Sequence, residues 1–201
     1  MSPAARSRLA AALFGTAVAA VLAGGATLYV RSLRGPEGTI AATIGQGGYR
    51  LETTAGGAFT EAVLEGAPSA VFFGFTHCPE VCPTTLGEVA QWQDELAEDG
   101  HALRVFFVTV DPERDTVAQL RDYVSWVPGV TGVSGSPEEI AEAVRAFRIF
   151  ARKVPLEQGG YTMDHTASVL LFGRNGKLAG VLPYQPDPDA AMEAIRALYQ
   201  G

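Results

Sequence analysis

Cysteine and histidine are scarce in this sequence. Cysteine occurs twice among the 201 residues, as Cys78 and Cys82, and histidine occurs three times. No third thiol is present, so any disulfide within the chain must join these two cysteines. Both belong to one short segment, and the chemistry of that segment decides most of what the protein can do.

Positive charge is also in short supply. Lys and Arg number 15 against 22 Asp and Glu, which gives a formal net charge of −7. The sequence has no stripe of basic residues with interleaved aromatic residues, which argues against nucleic acid as a partner. Internal repeats and low-complexity tracts are likewise absent from it. The length suits one domain with a sizeable core and a short appendage.

The appendage is an uncharged, apolar segment over residues 9–30. Because a helix rises about 1.5 Å per residue, this segment is long enough to cross a hydrocarbon core of about 30 Å. It is longer than the apolar part of most signal peptides, which favours an uncleaved anchor, although small residues at 23–26 also suit cleavage. We expect a membrane anchor or signal peptide with basic flanks over residues 1–34 and a Gly-rich linker over residues 35–48.

Residues 49–201 alternate between patterns typical of strands and of helices. Capping signals at Thr116 and Ser136 predict helices, and Pro83 suits the first turn of another. These helices are expected to end near residues 126, 151 and 97, respectively. Predicted strands cover 49–53, 70–75, 103–110, 167–172 and 178–182, with a hairpin turn at 174–177 and a last helix at 189–199. This order predicts a three-layer α/β domain with a central mixed sheet and thioredoxin-like architecture.

The predicted order places both cysteines at one edge of the sheet. Cys78 and Cys82 follow one central strand and lead into a helix, while Asp111 and Asp115 follow the neighbouring strand. Functional sites of open α/β sheets gather along this edge. The helix N-terminus favours thiolate over thiol, and we expect this at Cys82 in particular. The two carboxylates are expected to form turns and caps, to support the loop, or to contact a partner.

A pair of cysteines in this position can hold a metal, cycle between dithiol and disulfide, or form a local staple. Two soft sulfurs suit Cu(I) well and Zn²⁺ less exclusively, but two ligands make a poor site for most metals. We expect His101 at the surface, and we expect His77 to tune Cys78 or to form a hydrogen bond within the cysteine loop rather than to bind metal. His165 precedes a predicted strand opposite the cysteines, where it is either the third ligand, with Asp164 as its hydrogen-bond acceptor, or a structural residue.

Three segments carry further information: residues 73–86 (FGFTHCPEVCPTTL), 110–116 (VDPERDT) and 161–167 (YTMDHTA). They resemble, in the same order, the signature blocks of the Sco/SenC family of copper-binding assembly factors. The similarity extends over about residues 49–199. Glu80 stands where that family often has Asp. Met163 stands where a small aliphatic residue is more usual, and we expect it to pack rather than to bind metal.

The resemblance implies a thioredoxin-like domain held at the outer face of a bacterial inner membrane, in the periplasm. It implies one copper ion per chain, Cu(I) or Cu(II), bound by Cys78, Cys82 and His165. It further implies delivery of copper to, or thiol maintenance of, the dinuclear copper site of cytochrome c oxidase during assembly. The implied partners are the copper-accepting subunit of that oxidase, a periplasmic copper donor and a thiol reductant.

The cysteine pair also fits two other functions. A thiol-disulfide oxidoreductase would use Cys78 and Cys82 as a redox pair without obligatory metal, with His165 only orienting. A non-catalytic adaptor would carry a structural disulfide. A thioredoxin-like peroxidase fits less well, because it needs one activated cysteine in a pocket that excludes bulk water, usually with a nearby Arg. No Arg flanks either cysteine in the sequence, although Arg114 could approach in space.

Overall fold

The structure is a computed structural model that describes residues 41–200. The predicted anchor, residues 1–34, and the first part of the predicted linker lie outside the described residues. Within the described part of the chain, no helix combines the length and apolar character needed to span a membrane.

A seven-stranded mixed sheet lies at the centre of the described domain, and a two-stranded sheet is separate from it. The main sheet has the strand order β2-β1-β5-β4-β3-β8-β9. Its three central strands β3, β4 and β5 are parallel, and the outer pairings are antiparallel. The strands are β1 (Leu51–Thr53), β2 (Ala58–Phe59), β3 (Ser69–Gly74), β4 (Arg104–Thr109), β5 (Val130–Ser134), β6 (Ala151–Pro155), β7 (Tyr161–His165), β8 (Val169–Phe172) and β9 (Leu178–Leu182).

The helices begin where the sequence signals predict them, but their lengths differ. They are α1 (Val81–Glu98), α2 (Val117–Val124), α3 (Pro137–Ala146) and α4 (Pro188–Ala197). Capping boxes at Thr116 and Ser136 open α2 and α3, as predicted. The prediction that α3 continues to residue 151 is wrong, because Arg148 adopts a φ of 58° and the chain turns into β6.

Apolar faces of these strands and helices form the core, and the parallel central strands determine which edge of the sheet carries the site. All six residues of β3 are buried, as its uninterrupted apolar sequence predicts. Each of the four helices named above buries apolar side chains in the same cluster. Since β3, β4 and β5 are parallel, their C-terminal ends meet at one edge, and α1, α2 and α3 each begin just beyond it. The arrangement agrees with the predicted thioredoxin-like α/β fold and its central mixed sheet.

Candidate metal centre

The cysteine loop, residues 75–80, joins the end of β3 to the start of α1. The Cys78 N–H donates to the Phe75 carbonyl at 3.2 Å, and the Cys82 N–H donates to the Cys78 sulfur at 3.4 Å. Helix α1 begins at Val81, so Pro83 lies in its first turn, as predicted. Cys82 therefore lies in the first turn of α1, and Cys78 lies in front of the free N–H groups of that turn.

Gly74 allows the Cys82 sulfur to approach the end of β3. A Cβ atom at this position would lie 2.6 Å from the Cys82 sulfur and 2.5 Å from Cε2 of Phe107, well inside van der Waals contact. A residue with a side chain would therefore displace the sulfur or the ring. The close packing leaves Cys82 with an exposed fraction of 1%.

The two thiols differ in acidity, and both are free in the structure. The pKa of Cys78 is lowered to about 5, first because the Cys82 thiol donates to its sulfur and then because backbone N–H groups at the start of α1 point at it; burial opposes the shift. The pKa of Cys82 is raised, because Cys82 is the donor in that pair and is buried. The prediction that Cys82 in particular is the thiolate is wrong, since the free N–H groups of α1 point at Cys78 instead.

Asp115 is a buried carboxylate that holds the cysteine loop. Its Oδ2 accepts hydrogen bonds from the Thr76 N–H at 3.0 Å and the Thr109 hydroxyl at 2.7 Å. Its Oδ1 accepts from the Thr76 hydroxyl at 2.6 Å. The Ser134 hydroxyl donates to the Asp115 backbone carbonyl at 2.7 Å. Two of the roles considered for Asp115 are observed: its backbone N–H closes a turn on the Asp111 carbonyl at 2.9 Å, and its carboxylate supports the cysteine loop. With an exposed fraction of 0%, its side chain does not lie at the surface.

His165 approaches the cysteines from the β6–β7 hairpin rather than from a loop before β8. It is the last residue of β7 and pairs in register with Ala151. Its Nδ1 lies 2.9 Å from the Thr166 carbonyl oxygen, which places the ring proton on Nδ1 and leaves the lone pair of Nε2 for a metal. The imidazole meets the Phe75 ring edge-on, with ring centroids 5.8 Å apart.

The expectation that Asp164 accepts the hydrogen bond of His165 is wrong. The Asp164 carboxylate pairs with Arg152 at 3.1 Å, and the two residues are register partners across the hairpin. Successive side chains of a strand point to opposite faces, so Asp164 faces away from its neighbour His165. The backbone carbonyl of Thr166 takes the acceptor role instead.

Asp111 and Arg114 fasten the hairpin to the edge of the main sheet. The Tyr161 hydroxyl donates to Oδ1 of the buried Asp111 at 2.7 Å, and the Arg114 guanidinium pairs with Oδ2. Arg114 also donates from Nη1 to the Tyr161 carbonyl at 3.1 Å, with its Cζ 3.9 Å from the Tyr161 ring centroid. Arg114 thus approaches the site, but these contacts bind the start of β7 rather than a cysteine.

Cys78, Cys82 and His165, the three residues named from the sequence, come together at this edge. One ligand atom from each lies within 4.8 Å of the other two. Two sulfurs and one imidazole nitrogen form a donor set with the softness that Cu(I) requires. The geometry also lets the sulfurs bind the same ion or each other, so both metal and redox chemistry fit.

The other residues considered lie in different settings. His77 is about half exposed, and its Nδ1 lies 3.1 Å from the Thr76 hydroxyl, which is the local hydrogen bond expected. His101 is exposed, as expected, and stacks on Tyr199 with ring centroids 4.2 Å apart. Met163 packs against the core, also as expected.

Sequence reasoning missed the hairpin that carries His165 and the residues that fasten it. A signal was present: Gly159 and Gly160, both with positive φ, lie between two short segments that pair as β6 and β7. A Gly-Gly pair between such segments is typical of a β-hairpin. The contact between Tyr161 and Asp111 joins residues 50 apart, and no local pattern in the sequence indicates it.

Comparisons with known proteins agree on one family. A family model described as SCO1/SenC matches residues 37–200. The Arabidopsis thaliana protein SCO1 homolog 1, mitochondrial, is 38% identical over 128 residues, which are 63% of this chain and 38% of that protein. The Bos taurus SCO2 homolog, mitochondrial, is 37% identical over 139 residues, which are 67% of this chain and 52% of that protein.

One solved structure is similar to this chain in both fold and sequence. Bradyrhizobium japonicum ScoI with copper bound superposes with a TM-score of 0.68 at 40% identity, covering 78% of this chain and 98% of that chain. The present chain spans about half or less of the length of the two mitochondrial relatives. It spans nearly all of the solved ScoI chain.

Proposed function

The chain belongs to the SCO1/SenC family, and on that premise we propose that it is a copper chaperone that binds one copper ion through Cys78, Cys82 and His165. The observation that carries the proposal is the convergence of these three side chains, with one ligand atom of each within 4.8 Å of the others. The copper held by the 40% identical ScoI supports the choice of metal.

The donor set suits copper as a transported ion. Two thiolates and one imidazole satisfy Cu(I) in a trigonal arrangement, while Cu(II) would keep a further coordination position open. Cys78 carries the more acidic thiol, and binding of the metal displaces the proton of Cys82. The Thr166 carbonyl holds the imidazole in the tautomer that presents Nε2.

The cellular role proposed is assembly of cytochrome c oxidase. The chain would deliver copper to the dinuclear copper site of the oxidase, or keep the thiols of that site reduced, with the copper-accepting subunit as its partner. The apolar segment at residues 9–30 supports an anchor in a bacterial inner membrane, with the folded domain in the periplasm. A periplasmic copper donor and a thiol reductant would serve the site, because an oxidising compartment favours the disulfide.

A second candidate function, thiol-disulfide exchange, is favoured by the unequal acidity of the two cysteines. The Cys78 thiolate would attack an acceptor disulfide and release one acceptor sulfur as a thiolate, forming a mixed disulfide. Cys82, after loss of its proton, would attack the Cys78 sulfur and release the second acceptor sulfur. In total, the acceptor disulfide gains two electrons and becomes two thiols, one proton coming from Cys82 and the other from solvent, while Cys78 and Cys82 become a disulfide.

Replacement of His165 by Ala separates the two functions. We expect the variant to lose most Cu(I) retention in competition with a chelator while it still reduces a disulfide substrate, because the imidazole is a ligand but takes no part in the exchange. His101→Ala is the matched control, since this imidazole is exposed and stacks on Tyr199 away from the cysteines. Full copper retention in His165→Ala together with loss of disulfide reduction would contradict the chaperone proposal.

A further inference from the structure

Thr166 closes the base of the hairpin that carries His165. Phe150 and Thr166 extend the β6–β7 register by one pair, next to Ala151 and His165. The Thr166 N–H donates to the Phe150 carbonyl at 3.0 Å, which makes them a hydrogen-bonded pair of the ladder. In such an antiparallel pair the two residues normally exchange both N–H···O=C bonds. The return bond would therefore be expected to join the Phe150 N–H to the Thr166 carbonyl.

The return bond has a different acceptor in this protein. The Phe150 N–H donates to the side-chain hydroxyl of Thr166, at 3.0 Å from Oγ1. The Thr166 carbonyl is thereby left out of the ladder, and it accepts a hydrogen bond from Nδ1 of His165 at 2.9 Å instead. Thr166 thus supplies two acceptors, a hydroxyl for the neighbouring strand and a carbonyl for the imidazole.

The carbonyl is poorly placed to serve both donors. A carbonyl oxygen has two lone pairs, but in a ladder it points at the opposite strand within the plane of the sheet. The His165 side chain stands off that plane, as strand side chains do. Without the hydroxyl, the Phe150 N–H would compete with Nδ1 of His165 for the same oxygen. The imidazole would then lose the partner that fixes its orientation and its tautomer.

We propose that Thr166 is a positioning residue of the metal centre: its hydroxyl takes over the ladder bond of Phe150, which frees its carbonyl to hold His165 with the Nε2 lone pair available for copper. The inference rests on the proposed copper-binding function. Histidines that bind metal usually donate their other ring N–H to a carbonyl, carboxylate or water, and loss of this partner typically lowers metal affinity about 10–100-fold. A carbonyl is present in any sequence, whereas the hydroxyl that frees it requires Thr or Ser at this position.

Thr166→Val tests the proposal, because it removes the hydroxyl and keeps a branched side chain of similar size. Thr166→Ser is the conservative counterpart, which keeps the hydroxyl and removes the methyl group. Thr162→Val is the matched control, since Thr162 lies on the same face of the hairpin and pairs in register with Val154. The Thr162 hydroxyl takes part in no hydrogen bond with another residue of the described range 41–200.

Three quantities are measured for the reduced wild type and the variants. The ring nitrogen chemical shifts of neutral His165 in the metal-free protein report which nitrogen carries the proton, and His165→Ala assigns the signals. Competition with a chelator gives the Cu(I) affinity. Denaturant unfolding of the metal-free protein shows that each variant is folded, and Thr166→Ala replaces the valine variant if the latter does not fold.

We expect Thr166→Val to show a mixture of both His165 tautomers and to bind Cu(I) about tenfold more weakly, at the lower end of the range because the carbonyl is contested rather than removed. Thr166→Ser and Thr162→Val should keep the wild-type ring shifts and the wild-type affinity. A loss of hairpin stability alone would not change which ring nitrogen of His165 carries the proton, so the ring shifts separate positioning from a structural role.

Wild-type ring shifts and affinity in folded Thr166→Val would overturn the inference and leave copper binding intact. The same defect in Thr166→Ser as in Thr166→Val would also overturn it, because the hydroxyl would then not be the group that acts. A wild type that binds no copper would overturn the proposed function, while the ring shifts, which need no copper, would still decide whether Thr166 fixes His165.

Discussion

Asp115 provides the most demanding test of how the candidate site is held. Its carboxylate is fully buried and accepts three hydrogen bonds, two of which come from Thr76 at the start of the cysteine loop and one from Thr109 at the end of β4. Asp115→Ala would leave the Thr109 hydroxyl buried, and the Thr76 N–H and hydroxyl partly buried, without their acceptor. Thr76 would lose its fixed position, and the loop that carries Cys78 would lose its tie to the sheet.

The expected cost follows from these three donors. Each buried donor left without an acceptor costs about 1–3 kcal/mol. The two hydroxyls can rotate toward other acceptors, so we expect a loss near the lower end of the sum, about 3–5 kcal/mol in the free energy of unfolding. Asp115→Asn keeps one acceptor oxygen and should cost about 1–2 kcal/mol. Because ordering even one loop residue again costs about 1–2 kcal/mol, Cu(I) affinity should also fall about tenfold in Asp115→Ala.

Denaturant unfolding of the reduced, metal-free protein measures the effect. Asp164→Ala is the control, since this carboxylate is 53% exposed and its pair with Arg152 should be worth about 0–1 kcal/mol. A loss below about 1 kcal/mol in Asp115→Ala, similar to that of the control, would refute the claim that Asp115 holds the cysteine loop.

Three further predictions follow from the site. Gly74→Ala, whose Cβ would meet the Cys82 sulfur at 2.6 Å, should lower the free energy of unfolding by about 1–3 kcal/mol through overpacking and weaken Cu(I) binding. In the control Gly87→Ala, no atom lies within 4 Å of the added Cβ, and the free energy of unfolding should rise by about 0.5–1 kcal/mol. Denaturant unfolding and chelator competition measure the two effects. The pKa of Cys78, about 5, lies below the ordinary value of 9.0. Stability of the reduced, metal-free protein should therefore rise from about pH 5 to pH 9 and be lost as the pH falls through 5. A flat stability profile, or a thiolate absorbance midpoint near pH 9, would contradict this prediction. Tyr161→Phe removes the hydrogen bond to Asp111 at 2.7 Å and should weaken Cu(I) binding several-fold with little change in the disulfide potential; equal effects on both would show that the hairpin does not act through His165.

The sequence predicted those parts of the fold that depend on local patterns. The buried strands β3 and β4 follow from uninterrupted apolar runs, and the capping boxes at Thr116 and Ser136 follow from side chains three residues apart. The edge that carries the cysteine loop follows from the alternation of strands and helices. These signals need no knowledge of distant contacts.

The parts that could not be predicted depend on contacts between distant residues or on the path of the cysteine loop. Cys82 lies within the first turn of α1, and the loop before that turn places Cys78, rather than Cys82, in front of its free N–H groups. The burial of Asp115 depends on Thr76, 39 residues away. The carbonyl that orients His165 belongs to the backbone of Thr166 and would be available in any sequence, so residue identity could not reveal it.

Copper content after anaerobic loading tests the central claim most directly. The reduced protein is mixed with Cu(I), freed of loosely bound metal by a chelator, and analysed for copper per chain, alongside Cys78→Ser and Cys82→Ser. The account predicts one copper per chain in the wild type and loss of that copper in each variant. Copper retained at full stoichiometry in either cysteine variant, or no copper retained by the wild type, would contradict it.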